Sequence, residues 1–311
     1  MQPQEPSLAV EIAGIRLQNP VMVASGTFGY GVEYVDLVDL RRLGAIVVKG
    51  ISLEPWQGNR PPRVVEVTSG LLNAIGLQNP GVQGFARDYL PRLAQFGVPI
   101  IVNIWGRTIE EYCEVAARLS DLPQVSGLEL NISCPNIKEG GLAFGTDAEA
   151  TRRVISAVRA RTQLPLIVKL PPHLWHTPLF ARLAEEAGAN ALSLINTVPA
   201  MAIETESRRP ALANVTGGLS GPAIHPIAVR LVWEAARTVQ IPIIGIGGIA
   251  EPRDALEFLI AGASAVAIGT ANFTDPDTAL RVVDGIAAYL QRHNYASVKQ
   301  LIGSLEVGRE Q

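Results

Sequence analysis

The stretch Gly127-Leu128-Glu129-Leu130-Asn131-Ile132-Ser133-Cys134-Pro135-Asn136 passes from an apolar run into a pair of amides around a single thiol. A short apolar run closed by a proline-stiffened turn reads as a buried strand and its exit loop. A thiolate can take a proton from carbon, and side-chain amides can hold a polar planar ligand through paired donors and acceptors. Taken alone, the motif fits a catalytic Cys134 and a small buried hydrophobe equally well. The surrounding chain decides between them.

Working outward, comparable runs lie at residues 21–25, 45–49, 99–104, 166–170, 191–196, 243–247 and 265–269, with 127–133 as the fourth in order. Each is nearly continuous in Val, Ile, Leu or Ala, as expected of parallel strands buried on both faces. Amphipathic segments at 82–96, 109–119, 148–161, 179–187, 227–239 and 253–259 fall between them. Thr108, Asp147 and Asp275 stand where helix N-caps belong, and Gly44, Gly97, Gly188 and Gly262 where helices end. Eight evenly spaced units of this kind within about 250 residues predict an α/β fold of the (β/α)₈ TIM-barrel type. Even spacing favours closure over a doubly wound open sheet. Residues 8–19 read as an N-terminal hairpin around Ala13-Gly14 capping the barrel bottom, and 51–84 as an insertion over the top face. No polar linker divides the chain, so a single domain over 1–311 is expected.

Composition narrows the classes. With 48% hydrophobic and 18% charged residues over 311 positions, the chain describes a globular protein with a large core. A net charge of −3 gives no electrostatic reason to expect nucleic acid. Two cysteines cannot build a disulfide framework or a four-cysteine cluster, and free thiols suit a cytoplasmic location. No apolar run reaches the roughly 20 residues of a membrane span, so no membrane association is expected.

In a barrel of this kind chemistry collects at the C-terminal ends of the strands. Those ends carry Ser25-Gly26, Lys49-Gly50, Asn103, Asn131 with Cys134, Lys169, Asn196-Thr197, Gly247-Gly248 and Gly269-Thr270. The two glycine sites follow the last two strands, the usual place for a phosphate held by backbone N–H groups, although glycines also merely make tight turns. Lys49 and Lys169 close otherwise uncharged runs and suit an anionic ring or carboxylate. Asn73, Asn103, Asn131 and Asn196 suit the edge of a heterocycle, and each also suits a turn. Cys113 lies within a helical pattern and reads as packing. His173 and His176 lack a further ligand at metal spacing, so no metal site is expected. His225 and His293 read as structural or exposed.

With these residues in place, the chain resembles the catalytic subunit of class 1B dihydroorotate dehydrogenases over nearly its whole length. The carrying motifs are Val48-Lys49-Gly50, Gly58-Asn59-Arg60-Pro61-Pro62-Arg63, Asn73-Ala74-Ile75-Gly76-Leu77-Gln78-Asn79-Pro80-Gly81, and residues 131–136 with Lys138-Glu139-Gly140-Gly141. Ile167-Val168-Lys169-Leu170, Ser193-Leu194-Ile195-Asn196-Thr197, Thr216-Gly217-Gly218-Leu219-Ser220-Gly221 and residues 245–249 complete the set. The resemblance implies FMN on the barrel and oxidation of dihydroorotate to orotate in pyrimidine synthesis. It implies Cys134 as the base at C5, where class 2 enzymes carry serine. It implies a substrate site of Lys49, Asn73, Ala74, Ile75, Gly76, Leu77, Asn131, Asn196 and Thr197. It implies a flavin site of Ser25, Lys49, Gly50, Asn103, Asn131, Lys169 and Ile195, with Gly221, Gly247, Gly248, Gly269 and Thr270 toward the phosphate. Electrons would pass to NAD⁺ through a separate subunit carrying FAD and a 2Fe–2S cluster, on a homodimer core within a heterotetramer.

Two departures from the family pattern lie on the rim: Pro171-Pro172-His173-Leu174-Trp175-His176-Thr177 after Lys169-Leu170, and Trp105 after Asn103-Ile104. The competing expectations are another FMN barrel oxidoreductase, of the fumarate-linked class 1A or dihydropyrimidine dehydrogenase type, and a non-catalytic flavin-binding barrel. Lys49 and the amides favour an acid substrate over an uncharged pyrimidine.

Overall fold

The computed structural model describes residues 5–132, 145–172 and 175–308. Cys134, with the rest of its loop, lies outside them, as do His173 and Leu174.

The chain opens with a hairpin of β1 (Val10–Ile12) and β2 (Ile15–Leu17), turned by Ala13 and Gly14 at φ 54° and 85°. Two positive φ values in a two-residue loop match the right-handed twist of the flanking strands. Ile12, Ile15 and Leu17 face inward while Glu11 and Arg16 face out, the period-two pattern of a half-buried ribbon. The Ile15 side chain reaches the base of the barrel at Gly127, where a Cβ would stand 2.9 Å from Ile15 Cδ1. The expected bottom cap is therefore present.

Eight parallel strands form the closed barrel: β3 (Val21–Val23), β4 (Ala45–Ile51), β7 (Ile100–Ile104), β8 (Val125–Asn131), β9 (Leu166–Lys169), β10 (Ala191–Leu194), β15 (Ile243–Ile246) and β16 (Ala265–Ile268). Strands buried on both faces need apolar side chains at nearly every position, and these have them. The pairing of β4 with β7 slips between Val48 and Ile51, so Lys49 and Gly50 sit in a bulge at the barrel mouth. Bulges re-aim side chains next to active sites.

Around the barrel run α1 (Gly81–Asp88), α2 (Leu90–Ala94), α3 (Ile109–Ser120), α4 (Ala148–Arg159), α5 (Thr177–Glu186), α6 (His225–Ala236), α7 (Pro252–Ala261), α8 (Ala271–Thr274) and α9 (Thr278–Arg292). Thr108 accepts a hydrogen bond from Glu111 N and Asp147 from Ala150 N, as expected of N-caps. Gly262 closes α7 in the left-handed conformation. Two expectations are corrected. The helix expected over 82–96 is two, because Pro91 cannot supply the N–H that would continue α1. Asp275 does not cap α9 directly; Asp277 precedes the helix, and Asp275 instead accepts from Asp277 N and pairs with Arg281.

The insertion over the top face is β5 (Val64–Val67) and β6 (Gly70–Asn73), joined by β11 (Val198–Ala200) and β14 (Gly217–Ser220) in an antiparallel sheet of order β11-β14-β6-β5. A small ribbon of β12 (Ile203–Glu204) and β13 (Arg209–Pro210) projects beyond it. Leu72, Ala74 and Leu212 form the sheet's own buried cluster. One half of this sheet leaves the barrel after β4 and the other after β10.

Candidate active site

A cleft opens at the C-terminal ends of β9, β10, β15, β16 and β3. Its walls include Ser25, Lys169, Ile195, Asn196, Thr197, Gly221, Gly247, Gly248, Gly269 and Thr270, ten positions marked out by sequence. Residues outside that set also line it, among them Thr27, Ser220 and Pro222.

The glycines give the cleft its shape. Gly221, Gly247 and Gly248 have φ of 95°, 141° and 68°, a region L side chains rarely adopt. A Cβ on Gly248 would stand 2.7 Å from His225 Cβ and 2.8 Å from Gly221 O, so the backbones meet with no side chain between them. A Cβ at Gly269 would meet only ordinary van der Waals contact, Thr27 Oγ1 being nearest at 3.6 Å. Thr270 Oγ1 donates to Ser220 Oγ at 2.8 Å across the mouth. His225 lies behind this turn rather than on a free surface. Its Nδ1 is 3.1 Å from Gly247 O and its Nε2 3.1 Å from Glu257 Oε2.

Beside the cleft, the bulge in β4 carries Lys49 and Gly50. Burial lowers the Lys49 pKa from its ordinary 10.5, the Arg63 guanidinium lowers it further, and Glu33 acts in opposition. A Cβ on Gly50 would stand 2.8 Å from Asn103 Oδ1 and 3.7 Å from Leu77 Cδ2, so the Leu77 side chain brings the end of segment 74–77 against Gly50. That segment is pinned by Ala74 N to Arg63 O at 2.8 Å, Asn59 N to Ile75 O at 2.9 Å, and Asn79 Nδ2 to Leu77 O at 2.9 Å. Gly76 and Leu77 both have positive φ there. Asn73, on β6, donates to Gly218 O at 3.4 Å. Asn131 closes β8 with its carbonyl held by Tyr112 Oη at 2.8 Å. Thr197 N donates to Asn196 Oδ1 at 2.8 Å.

The structure thus gathers Ser25, Lys169, Ile195 and the phosphate-end candidates in one cleft, together with Asn196 and Thr197 of the substrate set; Lys49, Gly50, Asn103 and Asn131 of the flavin set, and Asn73, Ala74, Ile75, Gly76 and Leu77, are not among its walls. Of the departures, Trp105 is buried with its ring edge-on to Trp56 at 5.9 Å. Trp175 is exposed, with Arg230 over its ring. Cys113 is half-buried in α3, and burial pushes its thiol up. No cluster of metal-ligating side chains occurs among the described residues.

The family profile for dihydroorotate dehydrogenase matches residues 7–290. The chain belongs to the dihydroorotate dehydrogenase family. It is 55% identical over 301 residues to the protein named dihydroorotate dehydrogenase B (NAD⁺), catalytic subunit, of Geotalea uraniireducens strain Rf4, spanning 97% of this chain and 99% of that one. The protein of the same name from Geobacter sulfurreducens is 55% identical over 304 residues, spanning 98% of this chain and all of the other. That of Trichlorobacter lovleyi is 52% identical over 302 residues, covering 97% and 99% respectively. No helix among the described residues of this dihydroorotate dehydrogenase family member is long and apolar enough to cross a membrane.

Sequence reading missed a group inside the barrel, just below its mouth. Glu129 is 1% exposed and accepts hydrogen bonds from Ser25 Oγ at 2.9 Å, Asn103 Nδ2 at 2.6 Å and Ser193 Oγ at 2.8 Å. Lys169 Nζ donates to Ser25 Oγ at 3.0 Å and stands 3.6 Å from Glu129 Oε1. The signal was available: a carboxylate inside an apolar strand, two residues before Asn131 and so on the same face, has to find donors.

Proposed function

We propose that this chain is the FMN-dependent catalytic subunit that oxidises (S)-dihydroorotate to orotate in de novo pyrimidine synthesis, acting as one flavin-binding barrel in the cytoplasm. The observation that carries the reading is the glycine cradle of Gly221, Gly247 and Gly248 beside Lys169 and Ser25. A Cβ at any of the three would stand within 3 Å of a packed neighbour, so only glycine lets these backbones close together at the cleft, and N–H groups of such a turn suit a phosphate. This donor set fits FMN: backbone and the Thr270 hydroxyl at one end, the Lys169 ammonium and Ser25 hydroxyl at the other. When bound, FMN supplies the two-electron acceptor for the hydride leaving substrate C6.

The chain's own residues do the rest. Lys49 offers an ammonium to the substrate carboxylate, a role that offsets the cost of its burial beside Arg63. Asn73, Asn131, Asn196 and Thr197 present amide and hydroxyl groups to the ring edge. Residues 74–77, fixed by their backbone hydrogen bonds, close over the substrate and exclude water. Cys134 takes the C5 proton, and its thiolate forms more readily with a cation nearby. Gly50, Asn131, Lys169 and Ile195 surround the flavin ring and its ribityl chain, with Asn103 held behind them on Glu129. NAD⁺ is the final acceptor, reached through a separate subunit carrying FAD and a 2Fe–2S cluster, on a homodimer core within a heterotetramer. The relatives' name, catalytic subunit of a NAD⁺-type enzyme, supports that partner.

An anaerobic titration of the purified chain with dihydroorotate, followed at about 450 nm, tests the half-reaction. Prompt bleaching is expected. A protein that stays yellow keeps the flavin and discards the substrate, and one that takes up no FMN discards both.

A further inference from the structure

Five strands send a polar group to one point in the barrel interior. The acceptor there is Glu129 of β8. Its donors are Asn103 of β7, Ser193 of β10 and Ser25 just beyond β3, and its counter-charge is Lys169 of β9. Ser25 and Lys169 face the cleft, whereas Glu129, Asn103 and Ser193 lie behind its wall. A carboxylate and an ammonium this deeply buried persist only as a pair with their remaining hydrogen-bonding positions filled. Here they are 1% and 5% exposed, and hydroxyl and amide donors complete the carboxylate.

We infer that Glu129 is a positioning residue that holds the Lys169 ammonium at the cleft wall and offsets its charge, and thereby sets how strongly the reduced form of a bound flavin is favoured. The redox half of this statement rests on the FMN reading above; the charge pair is a property of the chain alone. An unopposed Lys169 would present a full positive charge to the cleft. With Glu129 behind it, the cleft meets a dipole with its positive end forward.

The discriminating variant is Glu129→Gln, which keeps the shape but carries no charge: its one amide oxygen can still accept from Ser25 and Asn103, and its NH2 faces Ser193 Oγ, which can turn to accept. In the flavin-free protein E129Q is expected to lower the melting temperature by about 5 °C or more, because it strands a buried ammonium. K169M strands the carboxylate and should also lower it. The double variant E129Q/K169M should recover at least half of the summed loss; strictly additive losses overturn the pair. If E129Q cannot be purified, the double variant decides: it is expected to fold, and its failure where K169M alone folds is equally contrary.

In FMN-loaded protein, E129Q should bind the reduced flavin about tenfold better relative to the oxidised one, an upward potential shift of about 30 mV for a two-electron couple. Glu129→Asp, which keeps the charge, should restore most of the native value. An unchanged potential in E129Q overturns the redox role even where the melting cycle shows coupling. A native chain that binds no FMN sinks the functional reading instead, and the melting cycle then judges the charge pair on its own.

Discussion

Lys49 is half-buried beside a second cation, Arg63, and both circumstances favour its neutral form. Because its folded pKa is depressed, the unfolded chain holds this proton more tightly. Folded stability therefore rises with pH through the window between the lowered value and 10.5, and falls again as the pH is brought down through it. Substrate binding runs the other way, since an acid needs the ammonium. Lys49→Met is expected to raise KM for dihydroorotate at least about tenfold at neutral pH, the worth of one charge-assisted contact. It should also flatten the alkaline rise in thermal stability; both appear in KM and melting profiles taken from about pH 7 to pH 10. At Cys134, replacement by Ser should keep the flavin and remove about a hundredfold or more of the rate at neutral pH, since an alcohol is a far weaker acid than a thiol. Stopped-flow bleaching of bound flavin reads that step, and an unchanged rate would remove Cys134 as the base. At this scale the lysines and amides were legible because each closes an apolar run. Glu129 and Ser193 sit inside their runs, and only barrel closure brings Asn103 and Ser25 to meet them.

Among the elements, strands and helices followed from periodicity, and the N-caps at Thr108 and Asp147 from residue type. The bulge at Lys49 and Gly50 did not, because register belongs to a pair of strands and β4 alone carries no sign of it. Asp275 and Asp277 are both competent caps two residues apart, and only the start of α9 chooses between them. The turn after β15 supports a sharp expectation. Gly248→Ala would put a methyl against His225 and the Gly221 carbonyl at a φ of 68°, a conformation that costs a non-glycine residue about 1–3 kcal/mol. Flavin retention should fall about ten- to a hundredfold if that strain is relieved on loss of the phosphate. Fluorescence of flavin released on dilution measures it, and retention equal to the native protein would show that the turn does not hold the phosphate.

For the whole molecule, eight repeating units were enough to read a closed barrel, but not the sheet above it. Val64–Val67 alternates exposed and half-buried positions as a surface strand should, yet the sheet whose edge it forms includes Gly217 and Gly218, whose composition reads as a turn. That sheet is tightly fitted: a Cβ on Gly218 would stand only 1.9 Å from Thr197 Oγ1. Gly218→Val is therefore expected to part β14 from β11, raising KM severalfold while the barrel's melting temperature and FMN content hold; a matching loss of flavin would tie the sheet to the cofactor instead.

Asn73 and Gly218 pair across 145 positions of chain, and the two segments leave the barrel from β4 and β10. Neither can find the other until the intervening strands have aligned, since closing so long a loop without that scaffold is entropically unfavourable. The order of assembly follows: walls first, roof afterwards. Opening should reverse it, so amide protons in β6 and β14 are expected to exchange with solvent well before those of β8 under conditions where the barrel stays intact.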